Sequence, residues 1–196
     1  MKNKITVKIL FLIVLLVNMT GCAQKILMED MTVSNIKHKN NDTKFKSAVK
    51  VSNISGGKET SPFIKPNINN EEFKKAVIAS LINAGLYSDN GNYKLRVEIM
   101  NVGEPLFGLD MTVTMTIRYI LTNTTDNSII FDKIINKSYT ATFSDSALGM
   151  KRFRLAKEGS AKANILALLK EFTISNDTII AKKDKEETIF KPISED

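Results

Sequence analysis

Few residues in this chain have the type and spacing that chemistry requires. The chain contains one cysteine, Cys22, and one histidine, His38. Cys22 follows an apolar run and a Thr-Gly pair, so it could be a reactive thiol, half of an intermolecular disulfide, a buried small side chain or an attachment point. His38 lies in the polar stretch KHKNNDTK and is predicted to be solvated. The serines elsewhere therefore have no histidine to activate them, and no Cys/His metal spacing is present.

Charged side chains form one further cluster in the segment GMKRFRLAKEGS. Arg154 and Glu158 are four residues apart, which predicts an ion pair of small stability value on one helix face. The alternative is that Arg152, Arg154 and Glu158 form a patch that binds a partner carboxylate or a lipid phosphate. Asp110 precedes a predicted strand and either caps a turn or acts as a general base. These residues favour a protein without catalytic activity, metal or cofactor.

The residues that precede Cys22 favour its role as an attachment point. Lys2, Lys4 and Lys8 precede an unbroken apolar run over residues 9–17, which is typical of a secretory signal and too short to span a bilayer. Met19-Thr20-Gly21-Cys22 is similar to the lipobox of bacterial lipoproteins. This resemblance implies that residues 1–21 are removed and that Cys22 carries a covalent lipid, such as diacylglycerol with palmitate. Ala23 stands where aspartate would signal inner-membrane retention, which by the same resemblance implies the outer membrane.

The charge balance excludes one class of partner. Removal of residues 1–21 takes away three lysines and no acid, so the formal net charge falls from +7 to +4. The remaining positive charges are interspersed with acids and do not form a strip with aromatic residues. The composition therefore argues against nucleic-acid binding, and the predicted membrane contact is the lipid anchor.

Hydrophobic periodicity predicts the elements that would position the charged cluster. A strand is expected over Phe45–Ile54, and a helix should begin after the cap Asn69 and end at Gly85. Alternation of apolar and polar residues then predicts three antiparallel strands, at 93–99, 111–121 and 128–143, the last with a bulge near Ile134-Ile135. A pattern rich in small residues predicts a long helix at 151–172. Short strands are also possible near 31–36 and 188–190.

This order predicts an α+β two-layer sandwich of βαβββα form. Its mainly antiparallel sheet would carry both helices on one face and leave the other face in water. The predicted organisation is a lipoprotein signal peptide at 1–21, a lipidated tether at 22–44, the α+β domain at 45–174 and a charged C-terminal tail at 175–196.

Four segments, GGKETSPF, FKKAVIASLINAGLY, PLFGLDMTVTMTIRY and RFRLAKEGSAKANI, together resemble a group of small, uncharacterised proteobacterial outer-membrane lipoproteins. The resemblance covers roughly residues 49–172. Some members carry an acyltransferase name linked to UDP-N-acetylglucosamine, but the hexapeptide repeats and catalytic histidine of those acyltransferases are missing here. In layout the chain is also similar to the lipopolysaccharide-assembly lipoprotein and the auxiliary lipoproteins of lipid-transport systems.

The sequence thus predicts a non-enzymatic, lipid-anchored envelope protein that faces the periplasm and binds a protein complex or an amphiphile. A first alternative is an enzyme acting on a lipid or sugar-nucleotide, with Asp110 or Glu158 as base. That alternative requires a concave pocket in which one of these carboxylates lies next to Arg152 or Arg154. A second alternative is a self-assembling structural lipoprotein.

Overall fold

A computed structural model describes residues 25–34, 43–61, 65–105 and 108–189. The predicted signal peptide, the lipobox with Cys22, and His38 lie outside these ranges. Within them the chain forms three helices and four strands: α1 Met28–Met31, β1 Val49–Ser55, α2 Asn70–Asn83, β2 Tyr93–Gly103, β3 Met111–Asn123, β4 Ile129–Ala141 and α3 Gly149–Ile189.

The four strands form one sheet in the order β1-β2-β3-β4. β1 runs parallel to β2, because α2 connects them as a crossover, while β2, β3 and β4 pair antiparallel in succession. α2 and α3 pack on the sheet, mainly against β1 and against β3 and β4 respectively. The prediction of an α+β two-layer sandwich with a mainly antiparallel sheet is confirmed.

α2 begins and ends where its sequence signals are. The Asn69 side chain accepts a hydrogen bond from the Glu72 N–H at 2.8 Å, which satisfies one of the unpaired donors of the first turn. At the other end Gly85 has a φ of +68°, a left-handed conformation that costs glycine little. Leu86 then donates back to the Leu81 carbonyl, and its side chain is buried.

Strand alternation divides the sheet into a buried and an open face. The helices bury three residues of β2, namely Leu95, Val97 and Ile99. They also bury every second residue of β3 from Val113 to Leu121. The outer face is polar: Thr112 bonds Thr140 and Thr114 bonds Ser138 across the β3–β4 pair, and Arg118 forms a two-bonded ion pair with Asp132.

The predicted bulge near Ile134-Ile135 is wrong. Pairing is continuous there, with Ile117 opposite Ile135, and the register shift lies instead beside Ile130. The slip in apolar period has a different cause. β4 is an edge strand, and it carries Ile134, 60% exposed, on the outer face beside the inward-facing Ile135.

Residues 25–34, predicted as part of a tether with a short strand near 31–36, instead pack onto the domain. Ile26, Met31 and Val33 are buried, and Met28–Met31 is a turn of helix that contacts both α2 and α3. The Val33 N–H donates to the buried Ser80 hydroxyl at 2.9 Å. Apolar side chains in this stretch fill the seam between the two helices, so the core begins about twenty residues before the predicted domain boundary.

α3 is longer than the predicted helix 151–172. It continues to Ile189, through residues predicted as a charged tail and, at 188–189, as part of a possible strand. The chain from Ser160 to Ile189 contains no glycine or proline, and its segment AKKDKEE is composed mostly of good helix formers. Within the described part of the chain, no helix is both long and apolar enough to cross a membrane.

Candidate functional site

A groove of about 520 Å³ lies on the helical side of the domain, between the N-terminal segment, α3 and the end of β4. Most of its lining is apolar or aromatic, and its charged groups come from α1, α3 and the turn after β4. The lining residues are Asp30, Val33, Tyr139, Ala141, Asp145, Leu155, Glu158, Gly159, Lys162, Ala163 and Leu166.

Gly159 and Tyr139 bring α3 and β4 together at this groove. A Cβ atom at Gly159 would lie only 2.3 Å from the Tyr139 ring, so the ring occupies the space that any other residue would need. The helix is held to the sheet by the buried Asn164, whose Nδ2 donates to the carbonyls of Met115 and Ile135 at 3.0 and 3.2 Å. The small residues of α3 thus determine how closely the groove wall approaches the sheet.

Glu158 and Arg154 form the ion pair that their spacing predicts. Nε of Arg154 lies 3.5 Å from Oε1 of Glu158, and both side chains are largely buried. This distance and geometry do not make a hydrogen bond, and among the described residues neither atom has a hydrogen-bond partner. Nε of Arg154 and Oε1 of Glu158 therefore remain available to donate and accept hydrogen bonds. They lie beside the groove, because Glu158 is one of the residues that line the groove.

Burial raises the pKa of Glu158 to about 7. The positive charge of Arg154 opposes this rise, and the Asp30 carboxylate on α1 adds to it. The Glu158 carboxyl consequently exchanges between its neutral and charged forms near neutral pH, unlike a solvated glutamate. Such a group in a concave site is a common feature of functional sites.

The other two predicted residues, Arg152 and Asp110, make contacts away from the Arg154–Glu158 pair. Arg152 Nη1 donates to the Ser146 carbonyl at 2.6 Å, and its guanidinium lies 5.3 Å from the centre of the Phe143 ring. Asp110 accepts a hydrogen bond from the Phe143 N–H at 3.0 Å, a contact that links the start of β3 to the residues after β4. Of the predicted residues, the structure brings together Arg154 and Glu158, while Arg152 and Asp110 fix the connection between β4 and α3.

Lys157 was not predicted to have a special role. It is fully buried, and its ammonium contacts Glu104 Oε1 at 2.6 Å, the Pro66 carbonyl at 2.7 Å and Asn67 Oδ1 at 2.9 Å. Lys65 bonds the other oxygen of Glu104. Burial by itself would raise the pKa of Glu104, but the two lysines outweigh it and hold the pKa below its usual value. The sequence gives no signal for these contacts, because Lys157 and Pro66 are 91 positions apart.

The described residues contain no group of three or more His, Cys, Asp or Glu side chains that could hold a metal ion. The apolar walls of the groove can bury hydrocarbon. Its edge carries charged groups of both signs and the titratable carboxyl of Glu158.

No protein-family model matches the chain, and no curated protein sequence matches it at a significant level. Solved structures with a similar arrangement of helices and strands include three bacterial proteins. One is protein XCC0632 of Xanthomonas campestris, of the DUF330 family, with a TM-score of 0.49 and 10% identity over 71% of this chain and 85% of that one. Another is a minor lipoprotein of Acinetobacter baumannii, with a TM-score of 0.45 and 9% identity over 68% and 95%.

The third is the hypothetical protein CT253 of Chlamydia trachomatis, with a TM-score of 0.45 and 13% identity over 66% of this chain and 94% of that one. All three similarities concern the arrangement of helices and strands. At these TM-scores and identities they carry no argument about activity, ligand or partner.

Proposed function

We propose that this chain is a non-enzymatic, lipid-anchored protein of the bacterial cell envelope whose groove binds an amphiphile. Lipid on Cys22 would hold the domain at the outer membrane, on its periplasmic side. The observation that carries the proposal is the groove itself, with mostly apolar walls and a single buried ion pair at one end. Its volume of about 520 Å³ lies within the range of about 300–1,000 Å³ that is usual for small-molecule sites.

The lining indicates the chemistry of the ligand. Val33, Leu155 and Leu166 would bury an acyl chain, with a gain of about 0.8 kcal/mol for each buried methylene. The charged groups around the groove have both signs, since Lys162 and Arg154 are offset by Asp30, Asp145 and the partly ionised Glu158. A neutral or zwitterionic head group that both donates and accepts hydrogen bonds matches this balance better than a strongly anionic one.

Photo-crosslinking tests this proposal on the full-length protein in membranes. The probe is a zwitterionic, single-chain lysophospholipid with a photoreactive group on its acyl chain. We expect crosslinks to α3 and the end of β4, and a several-fold loss of crosslinking in Ala163→Phe, which fills the groove. Ser138→Phe, on the open face of the sheet, is the matched control and should crosslink as the wild type does. Equal crosslinking of all three proteins would contradict the proposal.

The anchor has an independent test. Cells grown with labelled palmitate should incorporate label into the wild-type protein and not into Cys22→Ser. Equal labelling of the two proteins would defeat the proposed lipidation, whatever the groove binds.

An enzyme is the second candidate, and one observation favours it. Glu158, with a pKa of about 7, lies beside Arg154 in a concave groove, which is the arrangement that a carboxylate base would need. Mass spectrometry of lysophospholipids and UDP-sugars incubated with the protein separates the two functions. A product that disappears in Glu158→Gln would support the enzyme. Recovery of every compound unchanged, together with intact crosslinking, would support a binding protein.

A further inference from the structure

The N-terminal segment, residues 25–34, packs on the helical layer and begins three residues after Cys22 in the sequence. Ile26 is 2% exposed and Met31 is fully buried, and α1 contacts both α2 and α3. The Met28 N–H donates to Glu72 near the start of α2, and the Val33 carbonyl accepts from Asn83 at its end. The segment therefore runs along α2 in the seam between α2 and α3.

The chain between Cys22 and this packed segment is short. Ile26 is four residues after Cys22, so a fully extended chain separates their Cα atoms by at most about 14 Å. That is about half the thickness of the hydrocarbon core of a bilayer, which is near 30 Å. A lipidated Cys22 consequently could not hold the domain far from the membrane, and it would enter the domain from the helical side.

Exposed apolar side chains occur in the helical layer and in the N-terminal segment. Leu27 is 46% exposed beside the anchor, Ile82 is 56% exposed on α2, and Leu166 is 39% exposed at the groove. Ile82 is five residues after Val77, which packs in the core. At about 100° per residue it lies some 140° around the helix, facing away from the sheet. We call the side of the domain that carries α1, α2 and α3 the helical face, and Leu27, Ile82 and Leu166 are exposed apolar residues of this layer or beside it.

We propose that the helical face lies against the bilayer that holds Cys22, so that the groove opens toward lipid. This inference rests on the proposed anchor and extends it by assigning the partner of one surface. The partner of the helical face is the bilayer, because the anchor chain is too short to hold the domain away from the membrane and enters the domain from this side. The opposite side suits water, since it presents hydroxyl pairs such as Thr114–Ser138 and the Arg118–Asp132 ion pair.

The contact is expected to be mainly apolar. Lys25 and Lys162 are exposed on the helical side, but Glu29 and Asp30 of α1 are exposed there as well. Electrostatic attraction to anionic lipid is therefore partly cancelled, and the geometry of the short anchor chain determines the orientation.

Spin labels test the orientation on the full-length, lipidated protein in phosphatidylethanolamine–phosphatidylglycerol vesicles. Lipid consumes the thiol of Cys22, so an introduced cysteine is the one free thiol for labelling. Ile82→Cys places a nitroxide on the helical face, and Ser138→Cys places one on the outer face of the sheet. The measurement is collision of each label with oxygen, which is enriched in lipid, and with a water-soluble nickel chelate.

We expect the ratio of oxygen to nickel collisions to be several-fold higher at position 82 than at position 138. Equal ratios, or a higher ratio at 138, in protein that stays on the vesicles would overturn the orientation and leave the anchor intact. Loss of the protein from the vesicles would refute the anchor and the orientation together. Crosslinking to the groove is measured separately, so its failure is distinguishable from both results.

Discussion

Lys157 and Glu104 form an ion pair of 2.6 Å between Nζ and Oε1, although the Lys157 side chain is only 1% exposed. The same ammonium binds the Pro66 carbonyl and the Asn67 side chain. Three stretches that are distant in sequence, the loop before α2, the residue after β2 and the first third of α3, thus meet at one buried charge.

The first prediction concerns this pair. Lys157→Met keeps the length of the side chain but leaves Glu104 with Lys65 alone and the Pro66 carbonyl without its ammonium donor. We expect a loss of about 3 kcal/mol in the free energy of unfolding, measured by urea denaturation, because the partly buried Glu104 carboxylate loses one of its two ammonium partners. Lys170→Met, an exposed change on the same helix, should cost less than about 0.5 kcal/mol. Adding Glu104→Gln to Lys157→Met should restore part of the loss, and a further loss would argue against this account.

The second prediction concerns the titration of Glu158. Between the ordinary glutamate pKa of 4.5 and about 7, the folded protein keeps a proton that the unfolded chain has lost. The free energy of unfolding should therefore fall as the pH rises through this window, with no further contribution from this group above it. At about 1.4 kcal/mol for each pKa unit, the fall is on the order of 3 kcal/mol.

Glu158→Gln should remove this contribution, so the stability of the variant relative to the wild type should increase between pH 5 and pH 8. Glu98→Gln, exposed on the outer face of the sheet, is the control and should follow the wild-type curve. Urea denaturation at the two pH values measures the difference, and parallel curves for wild type and Glu158→Gln would contradict the prediction.

The third prediction sets helix propensity against packing at Gly159. Gly→Ala inside a helix normally stabilises by about 0.5–1 kcal/mol. Here the new methyl group would lie 2.3 Å from the Tyr139 ring, so we expect Gly159→Ala to destabilise by about 1–3 kcal/mol instead. In a double-mutant cycle, Tyr139→Ala should relieve most of this cost. Additive effects of the two substitutions would show that the cost of Gly159→Ala does not come from the Tyr139 ring.

The fourth prediction tests whether the N-terminal segment belongs to the domain. Met31→Ala removes a fully buried side chain from the seam between α2 and α3 and should cost about 3 kcal/mol of unfolding free energy. Leu27→Ala, in the same segment but 46% exposed, should cost well under 1 kcal/mol. If thermal or urea denaturation gave equal, small effects for both, the segment would be a tether after all.

Local signals allowed the parts of the fold that depend on neighbouring residues to be predicted. Asn69 and Gly85 define the ends of α2 because capping and the left-handed turn involve residues within one helical turn. The Arg154–Glu158 pair followed from the i,i+4 spacing in the same way.

The parts that were missed depend on contacts between distant positions. Val33 binds Ser80 across 47 positions, and Lys157 binds Pro66 across 91. The hydrophobic periodicity of the segment around Val33 does not indicate that the segment packs between two helices. Likewise, Lys157 looks in sequence like any lysine of a charged helix, and only the position of Glu104 in the folded chain gives it a buried partner.

The parallel pairing of β1 with β2 has a consequence for the order of folding. β2, β3 and β4 follow one another through short connections, so their pairing closes small loops and should form early. β1 and the segment at residues 25–34 can join only after α2 has formed, across much longer loops. We expect pulse-labelled hydrogen exchange to protect the Ile117 amide before that of Val33. The portion of the chain nearest to Cys22 would then be the last to become rigid.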